Sequence, residues 1–261
     1  MAGQPLSFPQ TVTYLGRLGL CVGLAVTLTA APTDDPWRDA LAAEGRLDSA
    51  RALVLFQQAA AAKPDDAFVL FKIAKQYSDL VPDQVDDAGR REFAQRGIDY
   101  APRACALEPN NAVYTLSLAI CHGHLATVSD VRTKVEYSRL IKEEAERALL
   151  LDPNYAWAHH VLGRWHYEVA ALGPTARFFA RLLYGGIPTA SPEEGVARLK
   201  RAVELEPGEL NHWIDLGFAY AATGRKTEAR ASWEHGLAMP DRSKHDATSK
   251  RRAREALKEL E

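Results

Sequence analysis

The chain has 261 residues, of which 47% are hydrophobic and 25% charged, with a formal net charge of −2 at pH 7. This balance excludes a strong basic field of the kind that attracts nucleic acid, so no nucleic-acid partner is predicted. No runs of alternating apolar and polar residues lie between turn residues, which argues against a β-sheet. An all-α fold is therefore expected.

Residues 1–32 have the pattern of a signal peptide or an N-terminal membrane anchor. Arg17 precedes an apolar run at 18–28, and small residues follow at 29–31. This run is short for a bilayer span but suits the apolar core of a signal peptide. Pro32 disfavours cleavage directly before it, so an uncleaved anchor is the alternative. We expect an exported, periplasmic or envelope-associated protein, or else a membrane-anchored one.

Residues 33–261 are predicted to form one helical repeat domain. Helical patterns and turn residues divide it into hairpins over 33–66, 65–107, 112–151, 155–205 and 210–238. A charged helix at about 247–261 has the polar character expected of a terminal cap. The basic stretch at 242–258 is interpreted as a solvated helix face.

Four prolines mark the repeat, at intervals of 45, 44 and 54 residues. Each follows an alanine by five residues and precedes a small residue by ten. The prolines are Pro64, Pro109, Pro153 and Pro207, the alanines are Ala59, Ala104, Ala148 and Ala202, and the small residues are Ala74, Ala119, Gly163 and Gly217. Small residues let two helices approach closely, and proline ends a helix because it has no N–H to donate. The rule therefore predicts an array of packed hairpins.

The last hairpin carries a recognisable signature. Trp213, Leu216 and Tyr220 lie on one helical stripe, and together with Gly217 they match the Trp-x-x-Leu-Gly-x-x-Tyr pattern of a tetratricopeptide repeat. That repeat has about 34 residues, so the longer proline intervals predict insertions within three hairpins. We expect a tetratricopeptide-repeat-like α-solenoid of about five hairpins plus a C-terminal capping helix.

The insertion in the fourth hairpin is the least regular part. Pro174–Tyr184 is predicted to form three helical turns, and Gly185 and Gly186 break them. One interpretation is a lid or partner-docking helix, and the other is a helix that fills space against its own array. Arg177 and Arg181, four residues apart, are expected on the exposed side in either case.

Residues 156–208 resemble a known family. The run contains Gly163-Arg-Trp-His-Tyr167, the insertion at 176–185, Gly186-Ile-Pro-Thr-Ala-Ser191 and a stretch at 202–207. Over roughly 65–261 the chain resembles the regulator of microtubule dynamics proteins, as a bacterial-type exported relative. The resemblance implies an all-helical array that acts through protein contacts, with no catalytic residue to carry over. It also implies links to microtubules and to mitochondrial or endoplasmic-reticulum membranes in eukaryotic members, which an exported chain would not share.

No group of residues predicts catalysis or metal binding. Of the histidines at 159, 160 and 166, only the first and last share a stripe, and no His-Glu-x-x-His pattern occurs. A Gly-x-Ser-x-Gly elbow and a phosphate-binding glycine loop are also lacking. We expect a protein that is not an enzyme and has no cofactor or metal. Cys105 and Cys121 are expected as buried free thiols, or as a disulfide if the chain is exported.

The concave face of a solenoid is lined by the first helix of each hairpin. Its register places ten candidate binding residues there: Phe68, Phe71, Lys75, Trp157, His160, Arg164, Tyr167, Asn211, Ile214 and Phe218. Aromatic residues beside Arg and Lys are favoured in peptide grooves, and Trp157, Arg164 and Tyr167 are expected to contribute most. The alternative is that the insertions fill the groove and these side chains are core.

Three functions of different classes remain open. The favoured one is a non-catalytic scaffold that binds another protein or a peptide. The second is a membrane-tethered protein resembling the microtubule regulators. The third is a lipid- or small-ligand-binding array whose apolar groove is closed by residues 178–184. Membrane contact is expected only through the N-terminal segment, and lipid binding only under the third function.

Overall fold

The computed structural model describes residues 37–260, except for the side chains of Pro174 and Phe179. All regular secondary structure in this part is helical. That part of the chain contains α1 (Arg38–Gly45), α2 (Ser49–Ala62), α3 (Ala67–Leu80), α4 (Asp87–Leu107), α5 (Ala112–Thr127), α6 (Val131–Leu151), α7 (Ala156–Ala170), α8 (Pro174–Tyr184), α9 (Pro192–Leu205), α10 (Leu210–Ala222), α11 (Lys226–Ala238) and α12 (Asp246–Glu259). A 3₁₀ turn, Val81–Asp83, follows α3. The predicted all-α fold is confirmed.

The helices pair as the prolines predict. The pairs α1–α2, α3–α4, α5–α6, α7–α9 and α10–α11 pack as five hairpins, and α12 packs on α10 and α11. Pro64, Pro109, Pro153 and Pro207 each lie two residues beyond the second helix of a hairpin. The solenoid of five hairpins with a C-terminal capping helix is thus present.

Small residues sit where the paired helices approach most closely. All four alanines before the prolines are buried, as are Ala74 and Ala119. At Gly163 an added Cβ would lie 2.8 Å from the Leu199 side chain. At Gly217 it would lie 2.4 Å from the indole of Trp233, well inside contact distance. The packing rule that was inferred from the sequence is therefore the rule that closes each hairpin.

The C-terminal cap differs from its prediction. The basic stretch at 242–258 is not simply a solvated face, because Lys250 is buried and pairs with Asp241 at 2.6 Å. Arg252 also points inward, toward α10. The loop before α12 reaches the turn after α3, where Lys244 pairs with Asp83. The cap therefore contacts the second hairpin as well as the fifth.

The insertion forms α8 with the predicted bounds, but it does not fill space with its apolar side chains. Phe178, Leu182 and Leu183 are 61%, 65% and 60% exposed. Arg177 and Arg181 are exposed as predicted. The space-filling interpretation is wrong for these side chains, and so is closure of an apolar groove by them.

The two cysteines of the described part are free thiols. Cys121 is buried and lies 3.4 Å from the Ser78 hydroxyl, whereas Cys105 is half-buried. Burial raises the pKa of both thiols to about 11, so they stay protonated at neutral pH.

The predicted N-terminal segment, residues 1–32, lies outside the described residues, and its role stays a prediction. Within 37–260, every helix is too short or too polar to span a bilayer.

Candidate functional site

The first helices of hairpins two to five are α3, α5, α7 and α10, and consecutive ones contact each other. We call the surface that they form the first-helix face. All ten residues predicted for the concave face lie on three of these helices. Six are half-buried, namely Phe68, Phe71, Lys75, Trp157, Asn211 and Phe218. Arg164 is exposed, and His160, Tyr167 and Ile214 are buried, so the exposure expected for the last three is wrong.

On α3, the predicted residues are engaged by neighbours within the array. Phe71 packs on Tyr114 with ring centroids 5.0 Å apart. Lys75 pairs with Asp79 at 2.7 Å and with Glu44 at 3.1 Å. Burial lowers the pKa of Lys75, but these two carboxylates outweigh it and raise the pKa overall. This end of the face therefore has its charges neutralised.

A buried carboxylate organises the other end, where α7 faces α10. Asp215 is almost fully buried, and its Oδ2 lies 3.1 Å from Nε2 of His160. The Tyr167 hydroxyl donates to Oδ1 at 3.2 Å. Burial raises the pKa of Tyr167, so this hydroxyl keeps its proton and serves as a donor.

Two arginines approach Asp215 from the solvent side. A guanidinium nitrogen of Arg164 lies 3.9 Å from Oδ2, and one of Arg252 lies 3.7 Å from Oδ1. Their side chains are 45% and 35% exposed. Burial alone would raise the pKa of Asp215, but Arg164, His160 and Arg252 outweigh it and hold that pKa well below its usual range. Asp215 is therefore ionised beneath two partly exposed guanidinium groups.

A pair of histidines lies behind the carboxylate. Nδ1 of His160 is 3.0 Å from Nδ1 of His212, which is fully buried. Burial, with His160 nearby, lowers the pKa of His212 to about 3, so this ring is neutral at pH 7. If Nε2–H of His160 donates to Asp215, its Nδ1 accepts from Nδ1–H of His212, whose Nε2 then carries no proton and needs no acceptor. That assignment agrees with the buried Nε2 of His212, which has no hydrogen-bond partner among the described residues.

Aromatic rings enclose this network. Trp157 packs on His160 and His212, with centroids 4.9 Å from each. The Arg252 guanidinium lies over the Phe218 ring at 4.6 Å. Trp157 and Phe218 are thus held by contacts inside the array while part of each ring remains accessible.

Two predicted residues have structural roles instead. Ile214 packs against α11, where its carbonyl accepts from the Trp233 indole at 3.1 Å. Asn211 donates to Asp246 at 2.9 Å and accepts from Ser249, which ties α10 to α12. These contacts hold Ile214 in the core and Asn211 against α12, and a role of either in binding stays a prediction.

The sequence reasoning missed Asp215, Arg252, Ile120 and His124. Asp215 lies four residues after Asn211 and three before Phe218, so its place on the same stripe was available as a signal. Ile120, 38% exposed, occupies on α5 the register of Arg164 on α7. His124 lies on the same helix, α5. Burial lowers its pKa to about 4, Asp79 acts in the opposite direction, and the positive charges of His245 and Arg164 lower the pKa further. No comparable signal marked Arg252.

The part of the chain that the structure describes holds no cluster of ligands suited to a metal ion. The network around Asp215 is instead a set of charged and hydrogen-bonding side chains, and His160 and Tyr167 already bind the carboxylate. What it offers to a ligand is the outer side of the two guanidinium groups.

A family model described as regulator of microtubule dynamics protein 1-3 matches residues 38–261. The chain belongs to this family. The resemblance inferred from residues 65–261 is thereby confirmed, whereas the exported character remains a prediction.

Curated relatives are longer than this chain. Regulator of microtubule dynamics protein 3 of Xenopus laevis is 33% identical over 139 residues, which are 53% of this chain and 30% of the relative. The human protein 2 is 25% identical over 198 residues, 76% of this chain and 47% of the relative. The chain thus spans less than half of either family member.

The fold also has a counterpart among solved structures. The crystal structure of a thermophilic tetratricopeptide-repeat protein from Thermus thermophilus aligns with a TM-score of 0.62 at 20% identity. The alignment covers 85% of this chain and 97% of the other. It shows that this member of the regulator family has a tetratricopeptide-like fold.

Proposed function

We propose that the chain is a non-catalytic scaffold that binds a partner protein or peptide on its first-helix face, around Arg164 and Arg252. The observation that carries the proposal is the convergence of these two side chains, from α7 and α12, on the buried Asp215. Within the described residues, Arg252 donates no hydrogen bond, and Arg164 donates only through Nε, to Glu168 at 2.7 Å. Both side chains are partly exposed, so N–H donors that have no partner within the array are available to a ligand.

The chemistry of this surface favours an acidic partner segment. A guanidinium binds a carboxylate through two parallel hydrogen bonds, and fixed side chains lose less entropy on binding. The exposed pair of Arg164 with Glu168 is weak, so a partner carboxylate can displace Glu168. Trp157, Phe218 and Ile120 supply apolar contact beside the arginines, in the composition typical of interface hot spots.

Peptides selected from a random library on the full chain would test the site. We expect acidic peptides to be enriched, and Arg164→Ala and Arg252→Ala each to weaken their binding about tenfold, because each removes charged hydrogen bonds. Arg251→Ala is the matched control, since Arg251 lies on the exposed side of the same helix as Arg252. Calorimetry on variants with unchanged circular dichroism gives the dissociation constants. Equal affinity for wild type and both variants would remove the site.

Family membership favours a second candidate function, because the curated relatives are named for the regulation of microtubule dynamics. The partner of the first-helix face would then belong to the microtubule system. Co-sedimentation of the full chain with polymerised tubulin tests this directly. Pelleting that Arg164→Ala abolishes would support it, and recovery of the whole protein in the supernatant would exclude a direct contact.

We further propose that residues 1–32 either direct export or tether the chain to a membrane. The apolar run at 18–28 supports both roles. The mass of the protein recovered from fractions of its native host separates them. A start at 30–33 in the exported fraction indicates a cleaved signal, and an intact Met1 in the membrane fraction indicates an anchor.

A further inference from the structure

Helix α8 exposes large apolar side chains to solvent. Leu182 and Leu183, with Phe178 one turn before Leu182, are each exposed by more than half of their surface. Ala180, two residues before Leu182, is buried, and the helix contacts α6. A helix that buries a small residue and exposes these three large apolar residues has the reverse of the usual arrangement for a surface helix.

The outward direction of the apolar side chains is fixed by arginines at both ends of α8. Arg139, on α6, donates to the carbonyl of Tyr184 and, at 3.1 Å, to that of Gly186. Arg177 donates to the carbonyl of Val169 at 3.2 Å, at the end of α7. These bonds satisfy carbonyls that helix ends leave without partners. Rotation that would bury Leu182 and Leu183 would break them.

The segment of the sequence that contains α8 is basic. No Asp or Glu occurs in residues 169–192, although the whole chain carries 34 of them. Arg181 is exposed and forms no hydrogen bond or ion pair with the described residues. It lines, together with Arg177, Gly186, Ile187 and Pro188, an open cavity of about 340 Å³ beside the helix. A cationic, partly enclosed space thus adjoins the exposed apolar side chains.

We propose that α8 docks this protein on an anionic membrane surface. Leu182, Leu183 and Phe178 enter the boundary between head groups and acyl chains, while Arg181 binds a lipid phosphate. Apolar residues flanked by arginines, without acidic residues, complement an anionic bilayer more closely than a protein surface, which carries both signs of charge. The contact area is small, so binding is reversible and depends on lipid charge. This site is separate from the first-helix face and independent of the function proposed for it.

The test compares full-length variants on vesicles of phosphatidylcholine, alone and with about 30% phosphatidylserine. The double variant Leu182→Ser with Leu183→Ser removes the apolar contact. The control is Leu150→Ser, because Leu150 on α6 is 84% exposed and lies outside α8. All variants share the apolar run at 18–28, so the local readout is amide hydrogen exchange over residues 174–184 with and without vesicles.

We expect wild type and Leu150→Ser to bind anionic vesicles equally and to gain exchange protection at 174–184. The double variant should partition about tenfold less and gain no protection there, because it loses two large apolar groups from the contact. Arg181→Gln should weaken binding to anionic vesicles only. Unchanged exchange at 174–184 when wild type meets anionic vesicles, or equal protection there in the double variant, would overturn the proposal. Leu182-dependent self-association without vesicle binding would also overturn it and assign α8 to a second copy of the chain.

Discussion

The first-helix face and α8 place polar and apolar groups in opposite ways. Around Asp215, ionised and hydrogen-bonding groups lie inside the array, and only the outer parts of two guanidiniums reach solvent. On α8, leucines face outward and an alanine faces inward. Both arrangements depart from what folding alone favours, since burial suits apolar groups and exposure suits polar ones. Such departures mark positions that function explains better than stability does.

The largest expected effect comes from removing the buried carboxylate. Asp215→Ala should lower the free energy of unfolding by about 3 kcal/mol, because His160 and Tyr167 lose their acceptor and two arginines lose their counter-ion. Asp215→Asn should cost less, since its side-chain oxygen still accepts from Tyr167. Urea denaturation measures both. A loss below about 1 kcal/mol for the alanine variant would mean that the network is not a stabilising unit.

Acid should lower the free energy of unfolding through two histidines of the first-helix face, His212 and His124. Burial holds the pKa of His212 at about 3 and that of His124 at about 4, against 6.5 in the unfolded chain. The unfolded state therefore binds protons that the folded state does not, and stability is fully present above pH 6.5 and falls toward pH 4. We expect a loss of about 1–2 kcal/mol per histidine at pH 5. Denaturation at pH 7, 6 and 5 should show a shallower slope in His212→Asn, and an unchanged slope would contradict the assignment.

A smaller effect is expected where the cap meets the network. Arg252→Ala removes one ion pair of Asp215 and the contact over Phe218, and it should cost about 1 kcal/mol. Arg251→Ala should cost almost nothing. Thermal unfolding of the two variants distinguishes an arginine that packs inward from a solvated one. Equal midpoint temperatures would mean that Arg252, like Arg251, belongs to a solvated face.

The smallest effect is expected on α8. Leu182→Ser with Leu183→Ser should change the free energy of unfolding by less than about 0.5 kcal/mol, because both side chains are already exposed. The reference is Leu199→Ala in the core of the fourth hairpin, which should cost about 3 kcal/mol through the cavity that it leaves. A large loss in the serine variant would show that α8 packs its apolar side against the array after all.

The fold was predictable because its signals are local. The size of Ala104 or Gly217 dictates how closely two helices approach, and a proline such as Pro109 ends a helix wherever the tertiary structure places it. Packing between neighbouring hairpins follows from the same stripes. The bounds of α8 were predictable for the same reason, since Gly185 and Gly186 break the helix regardless of its surroundings.

The site was only partly predictable. The stripe on α7 identified His160, Arg164 and Tyr167, but the choice of Ile214 over Asp215 on α10 depends on the rotation of that helix against α11. The role of Arg252 could not be predicted, because its inward direction depends on how α12 packs across α10. The orientation of α8 was equally hidden, since the capping bonds of Arg139 reach it from a helix more than 40 residues away.

The ion pair between Lys244 and Asp83 joins positions 161 residues apart. Repeat arrays are usually treated as one-dimensional chains of units, in which each unit senses only its neighbours and the ends fray independently. Here the loop before α12 contacts the turn of the second hairpin, so two units that are not neighbours in the array touch each other. A nearest-neighbour sum of hairpin stabilities therefore omits one contact, a partly exposed ion pair that contributes at most about 1 kcal/mol.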